Sequence, residues 1–155
     1  MTGTNAIRSI IITLYGQITM TQLSSAAIDA TVSALQFNED GLIPAIAQQH
    51  DSGEVLMMAW MNADAVRETL ETGRVCYWSR SRGKLWRKGE SSGQVQTLIR
   101  LGYDCDGDTI LLAVDQKGVA CHTGRRRCFF TWVGPSGPEV TEDVVTDPDK
   151  LYGKT

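Results

Sequence analysis

Residues 104–108 read Asp-Cys-Asp-Gly-Asp and place three carboxylates at alternate positions. Carboxylates this close together repel one another at neutral pH unless a cation lies among them, because a nearby like charge disfavours ionisation. Oxygen ligands of this kind suit a hard divalent ion. Asp104, Asp106 and Asp108 are therefore predicted to bind Mg²⁺.

Three of the four cysteines form a second candidate metal site. If residues 104–108 are extended, successive side chains point to opposite faces, and Cys105 faces away from the aspartates. Cys105, Cys121 and Cys128 would then offer three thiolates, which favour Zn²⁺ and leave the fourth tetrahedral position for water or a substrate. The three lack a Cys-x-x-Cys pair, so they need the fold or a second subunit to bring them together. Cys76 lies in an apolar stretch and is predicted to be buried.

His122 is the candidate proton-transfer residue. It follows Cys121 directly, and in an extended strand the two side chains would face apart, so they could hardly bind one ion together. A general-base role suits imidazole, which titrates near neutral pH. The alternative is a histidine that is hydrogen-bonded in the core.

Basic residues near these segments indicate an anionic ligand. Residues 74–100 hold seven Lys or Arg and one Glu, a local charge of +6, in a chain whose net charge is −3. A basic segment in an acidic protein favours a small phosphorylated molecule over a nucleic acid. Arg forks match phosphate oxygens, serines add hydroxyl donors, and Trp78 or Trp86 could stack on a base. The candidate substrate-binding residues are Trp78, Arg80, Arg82, Lys84, Arg87, Ser91, Ser92, Arg125 and Arg126.

The elements that must position these residues are predicted to be mainly strands. Apolar runs at 42–48 and 54–61, separated by His-Asp-Ser-Gly, predict a β-hairpin. Asn62 and Gly73 are the residue types that begin and end a helix. Residues 21–37 are weakly helical, and further strands are predicted at 74–79, 95–103, 109–114, 119–122 and 128–133. The expected fold class is α+β, a mainly antiparallel β-sheet with a short helix.

At 155 residues the chain is expected to form one domain. Residues 1–34 are predicted to be an N-terminal extension, partly helical or disordered, residues 35–133 the domain itself, and residues 134–155 a polar C-terminal tail. No apolar run approaches the about 20 residues of a membrane span. Residues 10–15 make a poor export signal. We expect a cytoplasmic protein with reduced thiols that binds neither a membrane nor nucleic acid.

Five segments occur together in an order that resembles one enzyme family. They are residues 53–62, which read Gly-Glu-Val-Leu-Met-Met-Ala-Trp-Met-Asn, and residues 77–82, 85–93, 104–108 and 121–126. Together they resemble phosphoribosyl-AMP cyclohydrolase, a hydrolase of histidine biosynthesis, over about residues 35–132. The resemblance implies the monofunctional form, without the fused phosphoribosyl-ATP pyrophosphohydrolase domain.

The resemblance also implies cofactors and a partner. The three aspartates would bind Mg²⁺ and the three cysteines Zn²⁺, in a homodimer whose zinc site takes cysteines from both subunits and whose metal sites lie at the interface. The implied reaction opens the adenine ring of 1-(5-phosphoribosyl)-AMP at the N1–C6 bond with zinc-activated water, the third step of histidine biosynthesis.

Other classes remain open from the residues alone. A structural zinc module that binds RNA would use the same cysteines and residues 125–127, although the acidity of the chain argues against it. A zinc nucleobase deaminase would attack the same purine carbon, but its His-x-Glu and Pro-Cys-x-x-Cys signatures are absent. An EF-hand loop is disfavoured because Thr109 takes the glycine position and Asp115 takes the place of the final glutamate.

Overall fold

The computed structural model describes residues 22–153. Helices and strands alternate irregularly along this part of the chain, and β-strands predominate. In chain order the elements are α1 (Ser25–Ala34), β1 (Ile43–Gln49), β2 (Val55–Met61), α2 (Ala63–Thr72), β3 (Cys76–Ser79), β4 (Lys84–Arg87), β5 (Gln96–Tyr103), β6 (Ile110–Gln116), β7 (Thr131–Gly134), β8 (Gly137–Val140) and α3 (Pro148–Leu151).

Six strands form one sheet in the order β4-β3-β2-β1-β6-β5, and β7 and β8 form a separate hairpin. The α+β class is confirmed, but the large sheet is mixed, because β1 and β6 run parallel while its other neighbours are antiparallel. The expectation of antiparallel pairing follows from tight hairpins such as β1–β2. A long connection through α2 and four strands separates β1 from β6, and such a connection allows parallel entry.

The two faces of the sheet differ in burial. Every second residue of β1 and β6 is buried, as strand alternation requires, and these side chains form the core with the inner sides of α1 and α2. Each fully buried Ile or Leu there contributes roughly 2–3 kcal/mol. On the other face Ile46 pairs in register with both Met58 and Leu111, and those two neighbours are exposed. That face therefore presents an apolar row to its surroundings.

Local signals for α2 and the first hairpin are confirmed. The side chain of Asn62 accepts a hydrogen bond of 2.9 Å from the Ala65 N–H, and Gly73 ends the helix with a left-handed φ of 70°. Cys76 is fully buried, as predicted, and burial raises the pKa of its thiol to about 11.

One predicted strand is absent, and one observed strand within the predicted domain was not predicted. Residues 119–122 form a turn rather than a strand, because the N–H groups of Ala120 and Cys121 bond locally to the carbonyls of Arg126 and Arg125. Residues 84–87, which are not among the predicted strands, form β4 and pair with β3.

Helices and strands also form in segments before and after the predicted domain, residues 35–133. Residues 134–153, predicted to be a polar tail, include β8 and α3. The predicted N-terminal extension contributes α1, and its residues 1–21 lie outside the described part of the chain. Within residues 22–153 no helix has the length and apolar character needed to span a membrane.

Candidate active site

The three aspartates lie in the hairpin loop between β5 and β6. One carboxylate oxygen from each of Asp104, Asp106 and Asp108 lies within 4.8 Å of the other two. The expected extended conformation is wrong: the segment is a turn in which the Gly107 N–H donates to the Asp104 carbonyl at 3.2 Å. The turn, rather than strand alternation, brings the carboxylates together.

The end of α1 supports this loop. The Gln36 N–H donates to the Gly107 carbonyl at 2.8 Å. A Cβ at position 107 would lie 2.9 Å from the Ala34 carbonyl oxygen, and the φ of Gly107 is 75°. Glycine is therefore required there both by the backbone conformation and by the close approach.

The carboxylates differ in their electrostatic environment. The negative charges of Asp108 and Asp104 raise the pKa of Asp106 above its usual value. For Asp104, desolvation acts to raise the pKa, but donation from the backbone N–H groups of Thr109 and Asp108 brings it below the usual value. A hard divalent cation would relieve the repulsion at Asp106, so the donor set fits Mg²⁺. Magnesium binding itself stays a prediction.

Cys121 and Cys128 lie together in the loop that follows β6, residues 117–130. The Thr123 hydroxyl donates to the Cys121 Sγ at 3.1 Å, and Cys121 is buried whereas Cys128 is exposed. Desolvation and the neighbouring Cys121 raise the pKa of the Cys128 thiol to about 12. The raised pKa means that Cys128 keeps its proton at neutral pH when no cation is bound, whereas a soft metal ion would bind the pair as thiolates.

Lys88 is the cation beside the thiol pair. It is only 6% exposed, and its Nζ donates to the Ala120 carbonyl at 2.9 Å, next to Cys121. Burial lowers the pKa of Lys88, and negative charge on Cys128 and Cys121 in their thiolate forms would act against that change. Lys88 thus connects β4 to the thiol loop.

Cys105 does not join the other two cysteines within one chain. The aspartate trio is the one group of three potential metal-binding side chains that converges among residues 22–153. Cys105 precedes β6 and Cys121 follows it, and a seven-residue strand is about 20 Å long. The Cys128 N–H donates to the Leu56 carbonyl near the start of β2. The start of β2 pairs with the end of β1, and the end of β1 pairs with the end of β6. The thiol pair therefore lies at the end of β6 opposite to Cys105.

His122 is exposed at the turn between Cys121 and Thr123. The alternative of a core histidine is therefore wrong. The imidazole stands next in sequence to the thiol pair and in contact with solvent, which is compatible with proton transfer. Its catalytic role stays a prediction.

A cleft of about 320 Å³ lies beside the thiol loop. Three of the predicted substrate-binding residues, Arg82, Ser91 and Ser92, line it. The cleft brings cationic and hydroxyl donors to one place, as phosphate recognition requires. Its other lining residues are Trp86, Lys88, Gly89, Glu90 and Tyr152.

Several other predicted residues have protein partners. Arg87 forms a two-point ion pair with Glu68, at 2.5 and 2.8 Å. Arg125 donates to the Glu142 carbonyl, and its guanidinium lies over the Phe130 ring. Arg126 donates to Glu54, Gln49 and the carbonyls of Gln116 and Gly118, so its donors fix the loop.

The remaining candidates lie outside the lining of the cleft. Trp78 pairs with Trp60 across β3 and β2, Arg80 stacks on the Trp60 ring, and Lys84 is exposed at the start of β4. Trp86, the alternative stacking residue, does line the cleft. Lys88 and Tyr152 were missed: Lys88 stands among many basic residues, and Tyr152 is a single aromatic residue in a polar segment with no motif.

The sequence of this chain is similar to those of known proteins. A family model described as phosphoribosyl-AMP cyclohydrolase matches residues 57–130. A Rhodospirillum rubrum protein named phosphoribosyl-AMP cyclohydrolase is 67% identical over 122 residues, which cover 78% of this chain and 85% of the relative.

Two further relatives carry the same name. The Paramagnetospirillum magneticum protein is 64% identical over 135 residues, covering 87% of this chain and 100% of its own length. The Chromohalobacter salexigens protein is 66% identical over 123 residues, covering 79% of this chain and 84% of its own length. The residues that the family model matches include both candidate metal loops.

Proposed function

The chain belongs to the phosphoribosyl-AMP cyclohydrolase family and is an enzyme, and on this premise we propose that it hydrolyses the N1–C6 bond of 1-(5-phosphoribosyl)-AMP in the third step of histidine biosynthesis. One observation supports this function above the others. A cleft with cationic and hydroxyl donors adjoins a pair of thiols, with Lys88 common to both.

Two metal sites complete the proposal. Asp104, Asp106 and Asp108 would hold Mg²⁺, and Cys121 and Cys128 would hold Zn²⁺ together with a third thiol. When bound, zinc supplies a Lewis acid that lowers the pKa of a water molecule towards neutrality. This is the nucleophile that the ring carbon C6 requires.

The residues of the chain bind the substrate and move the protons. Arg82, Ser91 and Ser92 would bind phosphate, and Glu90 would face the purine, which is cationic because N1 carries the second ribose. His122 would take the proton of the attacking water and return it to N1 as the N1–C6 bond breaks. Water thereby adds to C6, and the six-membered ring opens.

The third thiol is proposed to come from a second copy of the chain. Cys105 and the thiol pair lie at opposite ends of β6. A two-fold axis perpendicular to β6 would place Cys105 of each subunit beside the thiol pair of the other, giving two equal sites. The apolar row of Met58, Ile46 and Leu111, in which Met58 and Leu111 are exposed, offers a surface that such a homodimer would cover.

Turnover of 1-(5-phosphoribosyl)-AMP tests the function. Ring opening is followed by ultraviolet absorbance, with and without a chelator, and after Zn²⁺ and Mg²⁺ are restored. We expect activity that requires both metals. Failure of the folded, metal-loaded protein to turn over this nucleotide would reject the proposal; RNA binding would then favour the zinc module, and release of ammonia from adenosine would favour the deaminase.

Subunit mixing tests the shared zinc site. The variants Cys105→Ala and Cys121→Ala should each be inactive alone, because each lacks one ligand in both sites. A mixed dimer keeps one site with all three cysteines, so refolding the two variants together should restore about a quarter of wild-type activity. Zinc sites made within one chain would give no recovery. Mixing Cys121→Ala with Cys128→Ala is the matched control, since each mixed-dimer site would still lack one thiol of the pair.

A further inference from the structure

We propose that Tyr152, in the segment that follows α3, is a substrate-contacting residue whose ring covers the purine in the cleft. The inference rests on the function proposed above and adds a residue and a chain segment to it. Tyr152 lines the same cleft as Trp86, Lys88 and Ser92, although more than fifty residues separate it from them in sequence.

Tyr152 is held in place by its buried neighbour Leu151. Leu151 is buried, with 6% of its surface exposed, whereas Tyr152 is 49% exposed on the cleft side. The Asp147 side chain accepts a hydrogen bond from the Asp149 N–H and caps the short helix. A buried anchor next to a half-exposed aromatic ring presents that ring to a ligand rather than to the core.

The same segment is fastened to the thiol loop. The N–H groups of Val145 and Thr146 both donate to the Gly124 carbonyl, at 2.9 and 3.0 Å. Arg127 pairs with the Glu142 carboxylate, and Arg125 donates to the Glu142 carbonyl at 2.9 Å. These contacts tie residues 142–146 to the loop that carries Cys121 and Cys128. The position of Tyr152 is therefore set relative to the reacting centre.

The other residues that line the cleft indicate that the Tyr152 ring contacts the purine and not a phosphate. Arg82, Lys88 and the two serines provide the donors that phosphate oxygens need, and Tyr152 and Trp86 provide its aromatic surface. A cationic purine is planar and electron-poor, so it gains from contact with an electron-rich phenol ring. Base-to-aromatic contacts of this kind typically change binding by about tenfold when the ring is removed.

Steady-state kinetics with 1-(5-phosphoribosyl)-AMP test the inference. Tyr152→Ala is expected to raise KM about tenfold and to leave kcat within about threefold, because a contact made equally to substrate and transition state changes KM alone. Tyr152→Phe keeps the ring and should remain within about twofold of wild type. Lys150→Gln, an exposed change on α3 outside the cleft, is the matched control and should also remain within about twofold.

Thermal unfolding distinguishes a role of Tyr152 in contacting the substrate from a role in stabilising the fold. Tyr152→Ala should keep the wild-type Tm, whereas Leu151→Ala, which removes the anchor, should lower it. A KM for Tyr152→Ala within twofold of wild type would overturn the inference, and so would a kcat loss accompanied by a lowered Tm. Inactive wild-type protein would instead count against the proposed function, so the two failures are distinguishable.

Discussion

The two loops at the ends of β6 gather their candidate metal-binding side chains in different ways. The loop before β6 brings three carboxylates together through a turn of five residues. The loop after β6 brings only two thiols together, and their third expected partner, Cys105, lies at the other end of the strand. An oxygen site can thus be built from local sequence, whereas the proposed thiolate site needs a second chain.

The largest expected effect is that of replacing Cys105. Cys105→Ser should remove zinc and lower activity by at least roughly 10³-fold, because the remaining thiols leave an incomplete site. Metal analysis of the purified protein and the turnover assay check this. Cys76→Ala, in the core, is the control and should retain zinc. Full zinc content in Cys105→Ser would show that Cys105 is not a ligand.

Glycine substitutions compare how tightly each loop is packed. A Cβ at Gly124 would lie 1.8 Å from the Thr146 carbonyl oxygen, and the φ there is 80°, so Gly124→Ala should cost about 3 kcal/mol of unfolding free energy. Gly107→Ala, with a closest approach of 2.9 Å, should cost about 2 kcal/mol. Gly83→Ala meets no atom within 4 Å and serves as the reference, at about 1 kcal/mol. Urea unfolding gives the three values, and equal losses would contradict this order.

Cys76 provides a thiol that belongs to neither loop. Burial raises its pKa from 9.0 to about 11, so between these values the folded chain keeps a proton that the unfolded chain releases. Stability should therefore fall as pH rises from about 9 to 11, by about 1–2 kcal/mol from this group. The measurement is the difference between wild type and Cys76→Ala in urea unfolding across that range. If the difference in unfolding free energy did not change with pH, the pKa of Cys76 would not be raised by folding.

The smallest expected effect concerns the aspartate loop. Asp106→Asn should raise the Mg²⁺ concentration needed for half-maximal activity about tenfold, because one charged oxygen ligand is lost. Zinc content should be unchanged, since the thiol pair lies at the other end of β6. Magnesium titration of the turnover assay gives the shift. Equal loss of zinc in Asp106→Asn and Cys105→Ser would contradict the proposal of two separate metal sites.

Predictions from the sequence succeeded where the cause is local. Asn62 and Gly73 define α2 through their own capping geometry, and residues 42–61 define a hairpin. The grouping of the aspartates was expected, although from strand alternation instead of a turn. Cys76 was placed in the core because its neighbours are apolar. In each case the nearby residues contain the information.

Predictions failed where distant segments meet. The parallel pairing of β1 with β6 depends on how the intervening elements pack, which no short pattern reports. Residues 134–153 are polar, yet their backbone groups bind the thiol loop, and composition does not reveal such contacts. Tyr152 could have been found only from the three-dimensional neighbourhood of Leu151 and the cleft. The zinc-binding role of the cysteines stays a prediction, and their spacing does not specify how many chains would supply them.

The parallel pairing of β1 with β6 also sets an order of events during synthesis and folding. β1 lies between β2, its close neighbour in sequence, and β6, which follows more than sixty residues later. The β1–β2 hairpin can form early, but the centre of the sheet waits for a distant strand, and closing so long a loop is slow. Both candidate metal loops flank that late strand, so Cys121 is exposed until the strand is in place, and Cys105 and Cys128 are exposed throughout. If the two loops bind metals as proposed, the metals would enter as a final step of maturation, and oxidation of the thiols would be a hazard of the interval before it.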